Sequence, residues 1–301
     1  MELKDKKVLV FGSGISGIGA ADLLGKVGAL PIIFEGNEKL SKEEVLHKIN
    51  GDYPVEVYIG RLPREVQESL DLAVLSPGVP TDIPQVQSFR QQGIPVWGEV
   101  ELAYQMGKGT VLAVTGTNGK TTTTALLGKI MSDDRESVFV VGNIGNAYTG
   151  AVLEMTDQST TVAEISSFQL ETIDEFAPHV SAILNVSEDH LNRHHTMEEY
   201  IRVKELIAKN QTASDYCVLN YEDPVLREFG ERLKCKVLYF SSVRELEEGI
   251  FLRGDEIILR LDGQEIPVVG TEKLQILGQH NYENAMAAIA MAYVAGVPVD
   301  H

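Results

Sequence analysis

Thr115-Gly116-Thr117-Asn118-Gly119-Lys120-Thr121-Thr122-Thr123 follows the apolar run Val111 to Val114 and precedes a helical run from Ala125 to Met131. A strand, a glycine loop and a helix start, in that order, make a phosphate cradle. The glycines let backbone N–H groups turn inward, Lys120 can reach a terminal phosphate, and Thr121 offers a hydroxyl to Mg²⁺. This argues for ATP rather than a dinucleotide. The generic spacing Gly-x-x-x-x-Gly-Lys-Thr would place a glycine at 114, where this chain has Val114, so the loop is a variant of the pattern.

Strands and helices alternate on both sides of this loop. Lys7 to Phe11 reads as a strand, followed by Gly12-Ser13-Gly14-Ile15-Ser16-Gly17 and a helical segment from Ile18 to Val27, the order of a Rossmann-like unit. Pro31 to Glu35 and Leu72 to Leu75 read as further strands, the latter ending in Ser76-Pro77-Gly78, and Val96 begins the exit from a first domain, 1–98. A second domain, 99–301, carries the glycine loop and strands near Val138 to Val141, Thr161 to Ile165, Val180 to Val186 and Tyr216 to Asn220. Its helices are expected at Met197 to Ala208 and Asn284 to Ala295. Ile250 to Val269 alternates around Gly254-Asp255 and Asp262-Gly263, the turn pairs of β-hairpins. The expected fold is α/β, with an N-terminal Rossmann-like parallel sheet domain followed by a P-loop-type central ATPase domain with a small antiparallel appendage.

With 301 residues, 44% hydrophobic and 23% charged, the chain can bury two cores. Its formal charge of −18 repels nucleic acid and anionic membrane surfaces, so any phosphate must be held locally. Cys217 and Cys235 lack zinc-like spacing and read as buried thiols. Met1 to Lys7 runs straight into a strand without a secretory leader, and no apolar run approaches the roughly 18 to 20 residues of a membrane span. The expectation is a cytoplasmic monomer with neither nucleic acid nor membrane as partner.

Several clusters carry chemistry. Gly12 to Gly17 is usually read as NAD or FAD binding, supported by Glu35 at the end of the second strand, yet the same geometry holds any diphosphate, including that of a sugar nucleotide. In Glu164-Ile165-Ser166-Ser167-Phe168-Gln169-Leu170-Glu171, Glu164 ends a strand and suits Mg²⁺ as a carboxylate ligand. Ile183 to His194 runs from a strand into polar residues, where His190, His194 and His195 are all candidate ligands and the strand end favours His190. On the following helix Met197, Tyr200, Lys204, Ile207 and Ala208 share one face, opposite Glu198, Arg202, Glu205 and Lys209. Lys204 in that stripe is either a snorkelling lysine or a neutral amine able to take up CO₂ as a carbamate. In Leu277-Gly278-Gln279-His280-Asn281-Tyr282-Glu283-Asn284, Asn281 is either a helix N-cap worth about 1 kcal/mol or, with Asn284, a nucleotide contact.

Taken together, Thr115 to Thr121, Asn143-Ile144-Gly145, Leu184 to His190 and Gly278 to Tyr282 resemble the Mur ligases of bacterial peptidoglycan synthesis, and Ser166 to Glu171 points to the D-glutamate-adding member. The resemblance implies that the first domain binds UDP-N-acetylmuramoyl-L-alanine rather than NAD. Ser13, Gly14, Ile15 and Ser16 would lie near the diphosphate, Glu35, Ser76, Pro77 and Gly78 near the uridine, and Asn143 against the substrate. It further implies that Gly116, Thr117, Asn118, Gly119, Lys120, Thr121 and Thr122 hold the ATP phosphates, with Asn281 and Asn284 on the nucleotide. Thr121 and Glu164 would share a first Mg²⁺, and His190 with carbamylated Lys204 a second. Asn192 stands where the family commonly has aspartate. The family reaction makes an acyl phosphate from ATP and the alanyl carboxylate, and D-glutamate then attacks it. The family also continues into a third domain, so a 301-residue chain is expected to bind its ligands without ligating them.

Overall fold

The computed structural model describes residues 2–143, 146–274 and 278–299. Ile144 and Gly145 of the Asn143 motif, Leu277 and the terminal His301 lie outside the described residues. The chain forms two compact units, one from Met1–Lys108, Asn146–Glu154 and Phe168–Phe176, the other from Gly109–Gly145, Met155–Ser167 and Ala177–His301. Among the described residues no helix is long and apolar enough to cross a membrane.

The first unit is built on an all-parallel sheet of β1 (Lys7–Phe11), β2 (Leu30–Glu35), β3 (Glu56–Ile59), β4 (Leu72–Leu75) and β5 (Val96–Gly98), ordered β3-β2-β1-β4-β5. Its central strands are near-continuous apolar runs because crossover helices cover the sheet. Leu9, Ile32, Phe34, Ala73 and Phe89 meet in its core. The strand order reverses between β1 and β4, which opens a crevice at their carboxyl ends. The first helix starts at Ile15 rather than the expected Ile18, with extended Gly14 as its N-cap. Gly17 lets it sit close to the sheet, since a Cβ there would lie 2.0 Å from the Gly12 carbonyl oxygen. The Glu99–Met106 helix stays with this unit, past the close near Gly98 suggested by the sequence. Buried Glu101 holds it there by accepting the backbone N–H groups of Asp174, Glu175 and Phe176 at 2.8 to 3.0 Å.

The second unit contains β6 (Thr110–Thr115), β7 (Val138–Gly142), β8 (Thr160–Glu164), β9 (Val180–Ile183), β10 (Tyr216–Asn220), β11 (Lys236–Ser241), β12 (Gly249–Arg253), β13 (Glu256–Leu261) and β14 (Gln264–Gly270). Their order is β14-β13-β12-β11-β10-β9-β6-β8-β7. Pairing is parallel from β7 across to β12 and antiparallel through β13 and β14. The hairpins turn at the two expected pairs and extend the central sheet itself. The helices Lys120–Asp134 and Gln279–Val294 pack together over it, burying Leu127, Met131, Ala285, Ala288 and Met291.

Several boundaries differ from the sequence pattern. β9 stops at Ile183 instead of Val186: Leu184 N–H still reaches the Thr115 carbonyl of β6, but the Asn185 carbonyl then turns to Thr117 N–H and Val186 N–H to the Asp223 carboxylate. The last helix begins at Gln279 with Gly278 as its N-cap, so Asn281 lies inside the first turn and is not the cap. β3, β11 and the Pro224–Arg232 helix, capped by Asp223, were not anticipated.

Candidate functional site

β6 ends at Thr115, and the chain turns through Gly119, whose φ of +85° is left-handed, into the Lys120–Asp134 helix. The N–H groups of Thr117 and Asn118 are engaged by Asn185, through its carbonyl at 3.0 Å and its Oδ1 at 2.8 Å. Among the described residues, those of Gly119, Lys120, Thr121 and Thr122 take no protein acceptor, which leaves four donors at a helix N-terminus for an anion. Lys120 Nζ folds back onto the carbonyls of Gly116 (3.0 Å) and Thr117 (2.9 Å). Burial lowers its pKa, against the charges of Glu164 and Asp189, which raise it. Asn284 flanks the loop, its Oδ1 accepting from Thr123 Oγ1 at 3.4 Å and its Nδ2 donating to Asn281 Oδ1 at 3.4 Å. Beside them opens a cavity of about 680 Å³ lined in part by Asn118, Gly119, Asp223, Phe240 and Asn284.

Glu164, 1% exposed at the end of β8, accepts Thr121 Oγ1 on Oε2 at 3.0 Å and Asn143 Nδ2 on Oε1 at 2.9 Å. Lys204 is 2% exposed and donates to the same Gly116 carbonyl at 2.8 Å, with its Nζ 4.6 Å from the centre of the Tyr200 ring. Burial first, then the neighbouring Lys120 charge, pushes its pKa down to about 7 against the pull of Asp189. Tyr200 and Asp189 are functional candidates that the sequence pattern hid. Tyr200 is buried, and its hydroxyl meets Thr117 Oγ1 at 3.2 Å, which also bonds Ser187 through that residue's carbonyl and N–H. The available signal was its spacing of one turn from Lys204 on the same face.

His190 is half exposed at φ +53°, with Nε2 3.4 Å from Asp189 Oδ2. His194 is buried against Ser167 Oγ at 3.0 Å, and His195 is exposed. Among the described residues no group of three or more His, Cys, Asp or Glu side chains could hold a metal ion. A cation here would rest on the Thr121 and Glu164 oxygens together with ligand oxygens, a donor set that suits Mg²⁺. A buried amine titrating near neutrality likewise suits carbamate formation.

In the first unit, Glu35 at the end of β2 accepts Ser13 N–H (3.0 Å) and Oγ (2.6 Å) on one oxygen and Asn37 N–H (2.8 Å) on the other. Burial works to raise its pKa, but these bonds and the Lys48 charge outweigh it and hold it below the usual value. Lys48 Nζ also donates to the Ser13 carbonyl at 3.2 Å. Ser76 Oγ reaches the Gly12 carbonyl at 3.4 Å, so Ser13, Gly14, Ser76, Pro77 and Gly78 gather where β1 and β4 end. Ile15 and Ser16 open the first helix, and a cavity of about 630 Å³ runs from Ser13, Gly14 and Ile15 past Asp22 to Leu153.

A glycine loop after β1 and a strand, glycine loop and helix start at β6 define an α/β protein with two candidate anion-binding turns. The chain belongs to the Mur ligase family: residues 114–292 match the Mur ligase middle domain and residues 6–98 the Mur ligase MurD-like N-terminal domain. It is 54% identical over 301 residues to a UDP-N-acetylmuramoylalanine–D-glutamate ligase of Lachnospira eligens and 42% identical over 301 residues to one of Clostridioides difficile. All of this chain is covered in both comparisons, and it spans 66% of each relative's length. Its fold is similar to that of the Neisseria meningitides UDP-N-acetylmuramate:L-alanyl-gamma-D-glutamyl-meso-diaminopimelate ligase, with TM-score 0.60 and 18% identity over 98% of this chain and 95% of that one. The Thermotoga maritima UDP-N-acetylmuramate-alanine ligase gives TM-score 0.55 and 22% identity over 97% and 65%.

Proposed function

We propose that this chain carries the UDP-substrate domain and the central ATP domain of a cytoplasmic, monomeric ligase that joins D-glutamate to UDP-N-acetylmuramoyl-L-alanine. The single observation that carries the reading is the row of four N–H groups, Gly119 to Thr122, that take no acceptor among the described residues and that include the Thr121 of the Thr121–Glu164 oxygen pair. Those donors and Lys120 would take the ATP phosphates, and Asn281 and Asn284 the rest of the nucleotide. Thr121 and Glu164 would hold one Mg²⁺, and His190 with carbamylated Lys204 a second. Bound Mg²⁺ supplies positive charge that offsets repulsion between two polyanionic substrates. The alanyl carboxylate attacks the γ-phosphorus, ADP leaves, and the amine of D-glutamate then displaces phosphate to form the amide. In the first unit the first helix N-terminus and Ser13 to Ser16 would face the diphosphate, with Glu35 and Ser76 to Gly78 at the uridine end.

Calorimetric titration tests the reading. UDP-N-acetylmuramoyl-L-alanine is expected to bind more tightly than UDP-N-acetylmuramate, NAD not at all, and ADP only with a divalent cation present. Binding of NAD in place of the UDP ligand would sink it.

A further inference from the structure

We propose that Asn143 is a positioning residue that fixes the Glu164 carboxylate for the divalent cation. This rests on the reading of Thr121 and Glu164 as the cation site. Asn143 makes two bonds to one residue: its backbone N–H donates to the Glu164 carbonyl at 2.9 Å, and its Nδ2 donates to Glu164 Oε1 at 2.9 Å. A carboxylate that holds a cation only accepts, so on this reading it is the amide nitrogen of Asn143 that faces it.

The backbone is shaped for this contact. β7 and β8 run in parallel register with Gly142 opposite Glu164. Gly142 has φ +110°, and a Cβ there would lie 2.2 Å from the Glu164 carbonyl oxygen. Glycine therefore lets the end of β7 pass close enough to deliver Asn143 to the carboxylate. Each Glu164 oxygen then carries one donor, Asn143 on Oε1 and Thr121 on Oε2. Each also keeps a lone pair for a cation. The Thr121 hydroxyl belongs to the cation site itself, whereas Asn143 holds the far oxygen and sets the plane of the carboxylate. Outer partners of this kind orient metal ligands and commonly govern affinity as strongly as some ligands do.

The test is Mn²⁺ affinity in the presence of ADP, read by calorimetry on the full 301-residue chain, with UDP-N-acetylmuramoyl-L-alanine titrated in parallel. Asn143→Leu, which keeps bulk without a donor, and Asn143→Ala are each expected to weaken Mn²⁺ by roughly 10- to 100-fold, a larger loss than any on the UDP ligand. In a Glu164→Ala background the Asn143 substitution should add no further loss, because the group it positions is gone. Unchanged Mn²⁺ affinity, or the same loss in both backgrounds, overturns the proposal. A loss confined to the UDP ligand overturns it too and makes Asn143 a substrate contact. Failure of the unsubstituted chain to bind Mn²⁺ with ADP is a separate result, which removes the cation-site reading before any variant is compared.

Discussion

Glu99 places a carboxyl in the first unit at 3% exposure, with Oε1 bonded to Gln169 Nε2 at 2.6 Å and Oε2 without a partner among the described residues. Burial raises its pKa above 4.5, only partly opposed by the Gln169 bond. Above 4.5 the unfolded chain loses this proton while the folded chain keeps it. Stability from this group is therefore full below pH 4.5 and falls as pH rises through the folded value. Glu99→Gln keeps an acceptor for Gln169 and has nothing to ionise. The variant should match the parent near pH 4 and exceed it at neutral pH in urea midpoint, and parallel curves across that range would refute the account. At Lys204 the expected chemistry has its own readout. Protein equilibrated with ¹³C-bicarbonate should show a carbamate carbon resonance that Lys204→Arg removes, since a guanidinium stays protonated. An identical spectrum from the variant would exclude carbamate at this position.

The junction of the glycine loop with the Gln279–Val294 helix carries the next expectation. A Cβ on Gly119 would lie 2.2 Å from Asn284 Oδ1, and φ there is +85°. Gly119→Ala should cost about 1–2 kcal/mol for the left-handed backbone alone, and more from the clash, with a marked loss of ADP affinity. Adding Asn284→Ala relieves the clash but not the backbone, so melting temperature should recover in part. Full recovery would show that conformation at 119 is unimportant. This junction also shows what was legible in the sequence. The loop was, because glycines, Lys120 and an apolar strand are local signals. The helix start was not: Thr121 to Thr124 are β-branched and weak helix formers, so apolar periodicity begins only at Ala125. The helix in fact begins at Lys120, where Thr121 meets Glu164 and Thr123 meets Asn284. Tyr200 was hidden in the same way, since an apolar stripe does not say that its hydroxyl reaches Thr117. Glu101 was hidden because its partners lie 73 to 75 residues away.

Across the whole molecule, 44 acidic residues face 26 basic ones, yet both nucleotide ligands proposed for it, ATP and the UDP substrate, are polyanions. The chain must repel these nucleotides at long range and hold them at short range through Lys120 and oriented N–H groups. The balance between the two is set by salt. At about 0.01 M ionic strength the Debye length is about 30 Å and a nucleotide feels the net charge of −18, whereas at about 0.15 M it is about 8 Å and the local cradle dominates. The association rate of a fluorescent ADP analogue should therefore rise with salt over this range, and more steeply without Mg²⁺, because the free nucleotide carries more negative charge. Dissociation, governed by contacts within the cradle, should change much less. Stopped-flow mixing at a series of salt concentrations measures both. An association rate that falls with salt would mean that Lys120 at the Gly116 carbonyl steers the nucleotide from a distance, and that the acidic surface has no part in its approach.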